Sequence, residues 1–288
     1  MSKVAEMISG LEAAGKLIEL SEQEFISISR LILEKAGINL TEQKKPLIQA
    51  RLFSRIRQFG MNSYRQYVKY VKDDPTQKEL VKMIDMLTTN KTSFFREAEH
   101  FDFIKKNILA RRDLKKEPLR VWSAGCSSGQ EPYSLTMLLK QEYRNLAKED
   151  AQILATDISV EMVNRTRLGE YEEETMDTIP AAYVRQYFTK VADPASRTKY
   201  RVTDNLKQHV RVAILNLVSD WPMKGPFDII LCRNVMIYFT GDFRENLVHR
   251  YGKLLKPGGY LFIGLSESLG GRTGELEYVQ PAIYRKPE

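Results

Sequence analysis

The hydrophobic rhythm of the chain changes near residue 119. Over residues 21–90 apolar positions recur at the three- and four-residue spacing of amphipathic helices. "SEQEF" offers Ser21 as an N-cap and Glu24 as its capping-box partner, with Leu20 and Phe25 spaced as a hydrophobic staple. Phe25, Ile28, Leu31 and Ile32 continue the apolar face, and Gly37 is a stop signal. A second helix is predicted from about Pro46 to Gly60, with Leu52, Phe53, Ile56 and Phe59 turned inward. "DPTQKELVKMIDML" opens another, with Leu80, Met83, Ile84 and Leu87 on one side.

From Leu119 onward the pattern alternates. "LRVWSA", "AQILATD", "FDIILCR" and "YLFIGL" are short apolar runs, as expected of strands covered on both faces of a parallel sheet. Helix-like segments such as "EPYSLTMLLKQEY" and "GDFRENLVHRYGKLL" lie between the first two runs and after the third, and "KPGG" reads as a turn. The predicted class is therefore α/β: a doubly wound, Rossmann-like domain over residues 91–288, preceded by an all-α domain over 1–90. Residues 172–213 interrupt it. An acidic "EYEEETMD" segment leads to "YFTKV" and "TKYRVTDNLKQHVRVAIL" around a polar "ADPASR" turn. Alternation at Tyr200, Val202, Val210 and Val212 predicts a small antiparallel β insertion.

Composition narrows the class. No apolar run approaches the roughly 18 residues of a membrane span, and the first 20 residues lack the apolar core of an export signal, so a cytoplasmic chain is expected. Two cysteines are too few for a disulfide framework, and three scattered histidines give no metal-ligand spacing, so no metal is expected. Cys126 and Cys232 both fall at strand ends, either as shielded thiols beside a ligand or as ordinary buried ones. The net charge of +7 points to an anionic partner. Between residues 41 and 72 it is concentrated: Lys44, Lys45, Arg51, Arg55, Arg57, Arg65, Lys69 and Lys72 face a single acid, Glu42. Arg51 and Arg55, four apart, are expected on one helical face opposite the apolar stripe.

Ligands of open α/β sheets sit beyond the carboxyl ends of the strands. Four stretches map there: Ala124–Glu131, Asp157, Asn216-Leu217, and "CRNVMIYF" with Arg233, Asn234 and Tyr238. The first resembles a dinucleotide turn, with Gly125 and Gly129, but it carries Glu131 in the first turn of the next helix. A carboxylate there suits the helix dipole, yet it repels a pyrophosphate. A ligand with a cation and no phosphate fits better, and S-adenosylmethionine has a ribose for Asp157 and an ammonium for Glu131. Helix capping is the other reading of Glu131. "TTNKTSFFREAEHF" is polar, then aromatic, then charged; Asn90, Thr92 and Arg96 lie in it between the two parts of the chain, suited either to ligand contact or to turn and cap duty.

"TTNKTSFFREAEHF", "VWSAGCSSGQEPYS", "ATDIS", "NL" and "FDIILCRNVMIYF" occur in the order and spacing of the chemotaxis receptor glutamate methyltransferases, the CheR family, which this chain resembles over about residues 21–285. One departure is Gln130, where the family often has a second acid; Glu131 still matches the contact position. The resemblance implies transfer of a methyl group from S-adenosylmethionine, leaving S-adenosyl-L-homocysteine, to glutamates in the acidic cytoplasmic helical bundle of a chemoreceptor. It implies cofactor contacts from Asn90, Thr92, Arg96, Gly125, Glu131, Asp157, Asn216, Leu217, Arg233 and Asn234. It places Tyr238 near the transferred methyl, gives Arg96 a catalytic positioning role, and makes Arg51, Arg55 and Arg57 the receptor-docking face. In some members the inserted sheet also holds a receptor's C-terminal peptide. The chain is expected to act as a monomer, without nucleic acid or membrane insertion. A nucleic-acid methyltransferase and a non-enzymatic cofactor-binding adaptor are the alternatives to this reading.

Overall fold

The computed structural model of the chain describes residues 18–143, 146, 150–192 and 198–288. The N-terminal stretch read for export signals, up to residue 17, and residues 193–197 of the "ADPASR" turn lie outside the described residues. The chain divides into two compact units. One runs up to Thr89 and takes in Tyr238–Thr240; the other comprises Asn90–Ile237 and Gly241–Glu288.

The first unit contains helices α1 (Glu22–Ala36), α2 (Lys45–Gln58), α3 (Tyr64–Asp73) and α4 (Lys78–Leu87). The start of α1 is fixed as its sequence requires. Ser21 Oγ accepts the Glu24 N–H at 3.3 Å, and the Glu24 carboxylate accepts the Ser21 N–H at 3.0 Å. Leu20 and Phe25 are both buried beside this cap. Helix α3 has no counterpart in the sequence prediction. Its buried positions, Tyr64, Tyr67, Val68 and Val71, keep helical spacing, and Ser63 caps it through the Gln66 N–H. Half of that face is tyrosine set among Lys, Arg and Gln, which hides the period.

Two expectations for α2 are corrected. Phe59 is not turned inward: the helix ends at Gln58, and Phe59 is exposed, 4.6 Å beneath the Arg55 guanidinium and 4.8 Å from Tyr70. The charged face expected of Arg51 and Arg55 is half-buried and already engaged within the helical unit. Arg55 grips the buried Glu79 of α4 through Nε at 2.7 Å and Nη2 at 2.5 Å, and Tyr67 Oη donates to the same carboxylate at 2.7 Å. Arg51 donates through Nη1 to the Thr88 carbonyl at 2.8 Å. An i, i+4 pair opposite an apolar stripe can face a neighbouring helix as well as water, and spacing alone does not separate the two.

The second unit opens with α5 (Ala98–Phe103), which runs on through a π turn at Ile104–Ile108. Its sheet is built from β1 (Leu119–Ala124), β2 (Ala151–Asp157), β6 (Val210–Ile214), β7 (Phe227–Cys232), β8 (Leu255–Ile263), β9 (Glu277–Gln280) and β10 (Ile283–Arg285), in the order β6-β2-β1-β7-β8-β10-β9. The first five strands in that order are parallel, and β10 is antiparallel to both β8 and β9. Helices α6 (Gln130–Glu142), α7 (Val160–Leu168) and α10 (Gly241–Leu254) alternate with these strands. The chain leaves β1 toward β2 on one side, and β7 later adds on the other. That reversal opens a crevice beyond the carboxyl ends of β1 and β7.

The insertion is smaller than the sequence suggests. Strands β3 (Glu170–Glu172), β4 (Phe188–Ala192) and β5 (Thr198–Val202) form an antiparallel sheet of order β3-β5-β4, with α8 (Ala181–Tyr187) leading into β4; the short α9 (Asp204–Lys207) follows the sheet. Val210 and Val212 belong to β6, which pairs parallel with β2 in the main sheet and not antiparallel in the insertion. An edge strand has one open face, so it alternates as an antiparallel strand would. "KPGG" is likewise within β8, where pairing with β7 shifts register between Phe227 and Ile229.

Candidate functional site

The crevice is assembled from the loops after β1, β2, β6 and β7. Parallel register aligns their ends: Ser123 lies opposite Ala155 on one side and Leu231 on the other. After Ala124 the backbone turns sharply, with Gly125 N–H and Cys126 N–H both donating to the Thr156 carbonyl, at 2.8 and 2.9 Å. Gly125 has φ +86°, and a Cβ there would sit 2.5 Å from Val235 Cγ2 of the loop after β7. Gly129, the N-cap of α6, has φ +93°, and its Cβ would lie 2.7 Å from Thr166 Cγ2. Glycine is demanded at both positions by backbone and space together. The "G-C-S-S-G" spacing thus answers to the loop after β7 and to α7, which crowd the turn at its two glycines.

Asp157 ends β2 and is buried. Its Oδ2 accepts the Ser127 N–H at 2.8 Å and its Oδ1 the Ser159 N–H at 2.9 Å, tying the first turn to the end of the second strand. Asn90 joins the same turn, its carbonyl accepting from Ser127 Oγ at 2.9 Å. After β6, Asn216 Oδ1 accepts the Val218 N–H at 3.1 Å. Arg250 of α10 donates to the Leu217 carbonyl at 2.7 Å and stacks 3.8 Å over Trp221, which fixes that loop.

The charged centre lies across the switch point. Glu131, in the first turn of α6, accepts Ser123 Oγ at 2.6 Å and pairs with Arg233 Nη1 at 2.9 Å. Arg233 is buried, and its Nη2 lies 3.1 Å from Glu97. Glu97 also accepts from Asn234 Nδ2 at 3.2 Å, and the Arg96 carbonyl accepts from Arg233. Burial pushes the Glu131 carboxyl up, with Arg233 pulling the other way. Burial acts on Glu97 too, but Arg233 and Asn234 outweigh it and hold that carboxyl below its usual value. Two carboxylates against one guanidinium hold an excess negative charge away from water whenever both are ionised. A cationic ligand group compensates such a charge. The residues present therefore fit the ammonium of S-adenosylmethionine, with the Asp157 carboxylate at the end of β2 in the same crevice.

The Arg96 side chain turns to the Lys91 carbonyl at 2.9 Å, and Thr92 is half-buried nearby in sequence. Glu97 is the residue that sequence reasoning missed. It adjoins Arg96 in "FFREAEHF", and its acid reads there as an ordinary helix-start residue. Cys126 and Cys232 are both fully buried by the protein itself, and burial pushes both thiols well up, so they behave as ordinary core residues.

Tyr238 belongs to the helical unit. Its carbonyl accepts the Asn39 N–H at 2.7 Å, its hydroxyl points to the Thr89 carbonyl at 3.5 Å, and the Lys44 ammonium lies 4.9 Å from its ring centre. Arg51 is close enough to couple electrostatically to the Tyr238 hydroxyl, and burial lowers the pKa of both Lys44 and Arg51. Arg57 is exposed on α2. Of the three arginines named from sequence, Arg51 is gathered with Tyr238, Arg55 is engaged by Glu79, and Arg57 faces solvent.

Among the described residues no group of three or more potential ligands could hold a metal, and no helix is long and apolar enough to cross a membrane. A family model described as the S-adenosylmethionine-binding domain of CheR methyltransferase matches residues 90–284, and one described as the CheR all-alpha domain matches residues 23–88. The chain is 37% identical over 276 residues to a chemotaxis protein methyltransferase of Borreliella burgdorferi, covering 93% of this chain and 96% of that one. It is 38% identical to a probable chemotaxis protein methyltransferase of Rhizobium etli, covering 84% and 91%, and 36% identical to the Escherichia coli chemotaxis protein methyltransferase, covering 87% and 86%. The chain belongs to the CheR family of S-adenosylmethionine-binding chemotaxis methyltransferases.

Proposed function

We propose that this protein methylates the side-chain carboxylate of specific glutamates in the cytoplasmic helical bundle of a chemoreceptor, giving methyl esters. The observation that carries this reading is the company Tyr238 keeps. Two cations, Lys44 and Arg51, lie about its ring and hydroxyl, and burial disfavours the charge on both. An incoming carboxylate relieves that cost. A neutral base or amide does not.

The chemistry asks little of the protein beyond placement. A glutamate carboxylate has an unperturbed pKa of about 4.3 and is ionised at neutral pH, so no general base is required. His100, in the second unit, is buried with its pKa pushed down to about 4 by that burial, and it stays a neutral packing group. When bound, S-adenosylmethionine supplies an electrophilic methyl on a sulfonium. Glu131 would hold the ammonium, Asp157 the ribose, and the loops at Asn216-Leu217 and Arg233-Asn234 the remaining polar groups. Asn90, Thr92 and Arg96 close the constellation from the preceding segment, and Arg96 orients a carboxylate there. Gly125 lets the chain approach the ligand closely. Tyr238 would orient the attacking oxygen through its hydroxyl. Such positioning supplies roughly 7–11 kcal/mol in favourable cases.

Arg57, and Arg51 beside Tyr238, supply positive charge toward an acidic bundle, while Arg55 contributes by holding α2 on α4. Purified protein with methyl-labelled cofactor, offered receptor membranes in one tube and RNA or DNA in another, tests the reading. Label in the receptor band supports it. Label in nucleic acid, with steep salt dependence of binding, would transfer the basic surface to a different substrate class. A protein that binds cofactor but labels neither would be an adaptor.

A further inference from the structure

Glu97 has a place in the crevice that its sequence position does not announce. Its backbone is left-handed, φ +57°, and Phe95 two residues earlier has φ +51°. Neither is glycine, and such conformations persist only where the surroundings impose them. They deliver the Glu97 carboxylate to Arg233 Nε at 3.3 Å, to Nη2 at 3.1 Å, and to Asn234 Nδ2 at 3.2 Å. Arg233 is thus held between two acids: Glu97 on one edge of the guanidinium and Glu131 on Nη1 at the other.

That arrangement has a consequence in charge. With Glu131 alone, Arg233 would form a neutral pair, and a second cation would gain little by approaching. With Glu97 added, the guanidinium has a second carboxylate to rest on, and two acids share one cation. Resting on the proposed role of Glu131 toward the cofactor's ammonium, we infer that Glu97 is a positioning and specificity-determining residue: it occupies Arg233 and so leaves Glu131 available to a ligand's α-ammonium. Glu97 does not touch the ligand in this account. It acts through Arg233.

The inference separates ligands that differ only in the amino-acid tail. S-Adenosylhomocysteine carries the α-ammonium; 5′-methylthioadenosine has the same nucleoside thioether and lacks it. Both are titrated calorimetrically into the wild-type protein and into Glu97→Gln, which keeps the shape and an acceptor for Asn234. The expected result is a rise in Kd for S-adenosylhomocysteine of roughly 10- to 100-fold, the range for a lost charge-assisted hydrogen bond. The Kd for 5′-methylthioadenosine should stay within about twofold. Equal weakening of both ligands would make Glu97 a merely structural residue and overturn the inference, and so would no change in either. Glu131→Gln serves as the separate control. If it leaves the ratio of the two affinities unchanged, the underlying reading of Glu131 fails. If it collapses the ratio while Glu97→Gln preserves it, only the inference about Glu97 fails. Should Glu97→Gln fold poorly, Glu97→Asp tests the same claim with the charge retained. Its affinity ratio should remain within about threefold of wild type, and a ratio as low as that of Glu131→Gln would refute the role.

Discussion

Gly125→Ala is the substitution whose effect can be worked most fully from the geometry. The residue has φ +86°, and its new Cβ would sit 2.5 Å from Val235 Cγ2, well inside contact distance. The left-handed backbone costs an alanine roughly 1–2 kcal/mol. Forcing a methyl into a filled space costs roughly 1–3 kcal/mol more. The expected destabilisation is therefore about 2–5 kcal/mol. The two parts separate in a double-mutant cycle, because Val235→Ala removes the colliding methyl and leaves the backbone cost in place. In the Val235→Ala background the glycine change should cost only about 1–2 kcal/mol, a coupling of roughly 1–3 kcal/mol between the positions. Urea denaturation followed by circular dichroism measures it, through a shift in midpoint at constant slope. The same two loops line the crevice, so affinity for S-adenosylhomocysteine should recover in parallel. An equal cost in both backgrounds would show that close approach of the loops after β1 and β7 is not what demands glycine.

Other consequences are more local. His100 is buried, faces Glu97, Glu99 and Arg233, and titrates at about 4 in the folded state against 6.5 when free. The unfolded chain therefore binds the extra proton first, and stability should fall as pH drops from about 6.5 to 4, by up to about 3 kcal/mol, then level off. His100→Phe should flatten that segment of the pH–stability curve; an unchanged slope would remove His100 from the acid response. Arg55→Ala strands the buried Glu79 with only Tyr67, and should destabilise the helical unit toward the lower end of the roughly 3–5 kcal/mol of a broken buried pair. Arg57→Glu should leave stability and cofactor Kd unchanged and raise the KM for receptor, and a parallel shift in cofactor Kd would refute the docking role. Tyr238→Phe should lower kcat and spare cofactor binding; an unaltered rate takes the hydroxyl out of the mechanism.

Much of this molecule is legible in its sequence where one local cause dominates. The capping box at Ser21 and Glu24 announces its element through contacts within a few residues, and the apolar strand runs and the strand-turn-helix at Ala124–Glu131 announce theirs through a pattern contained in one short stretch. What is hidden depends on neighbours distant in the chain. Val210 and Val212 alternate because β6 is a sheet edge, and only pairing with β2 reveals that the strand is parallel. Arg51 and Arg55 read as a charged face until α4 supplies Glu79 and the residue after it the Thr88 carbonyl. Glu97 is the extreme case, since its partner Arg233 lies 136 residues away and its left-handed backbone leaves no trace in residue type.

Transfer of the methyl group to a carboxylate leaves an alkali-labile ester, so the lability of the product decides whether a carboxylate was the acceptor. After transfer from methyl-labelled cofactor to receptor membranes, the labelled receptor is treated with mild alkali and the volatile fraction counted. The label should leave as methanol, and replacing the modified glutamates by alanine should abolish incorporation. Label that stays on the protein through alkali would mean methylation at nitrogen, and would contradict the reading of Tyr238, Lys44 and Arg51 as the reception site for a carboxylate.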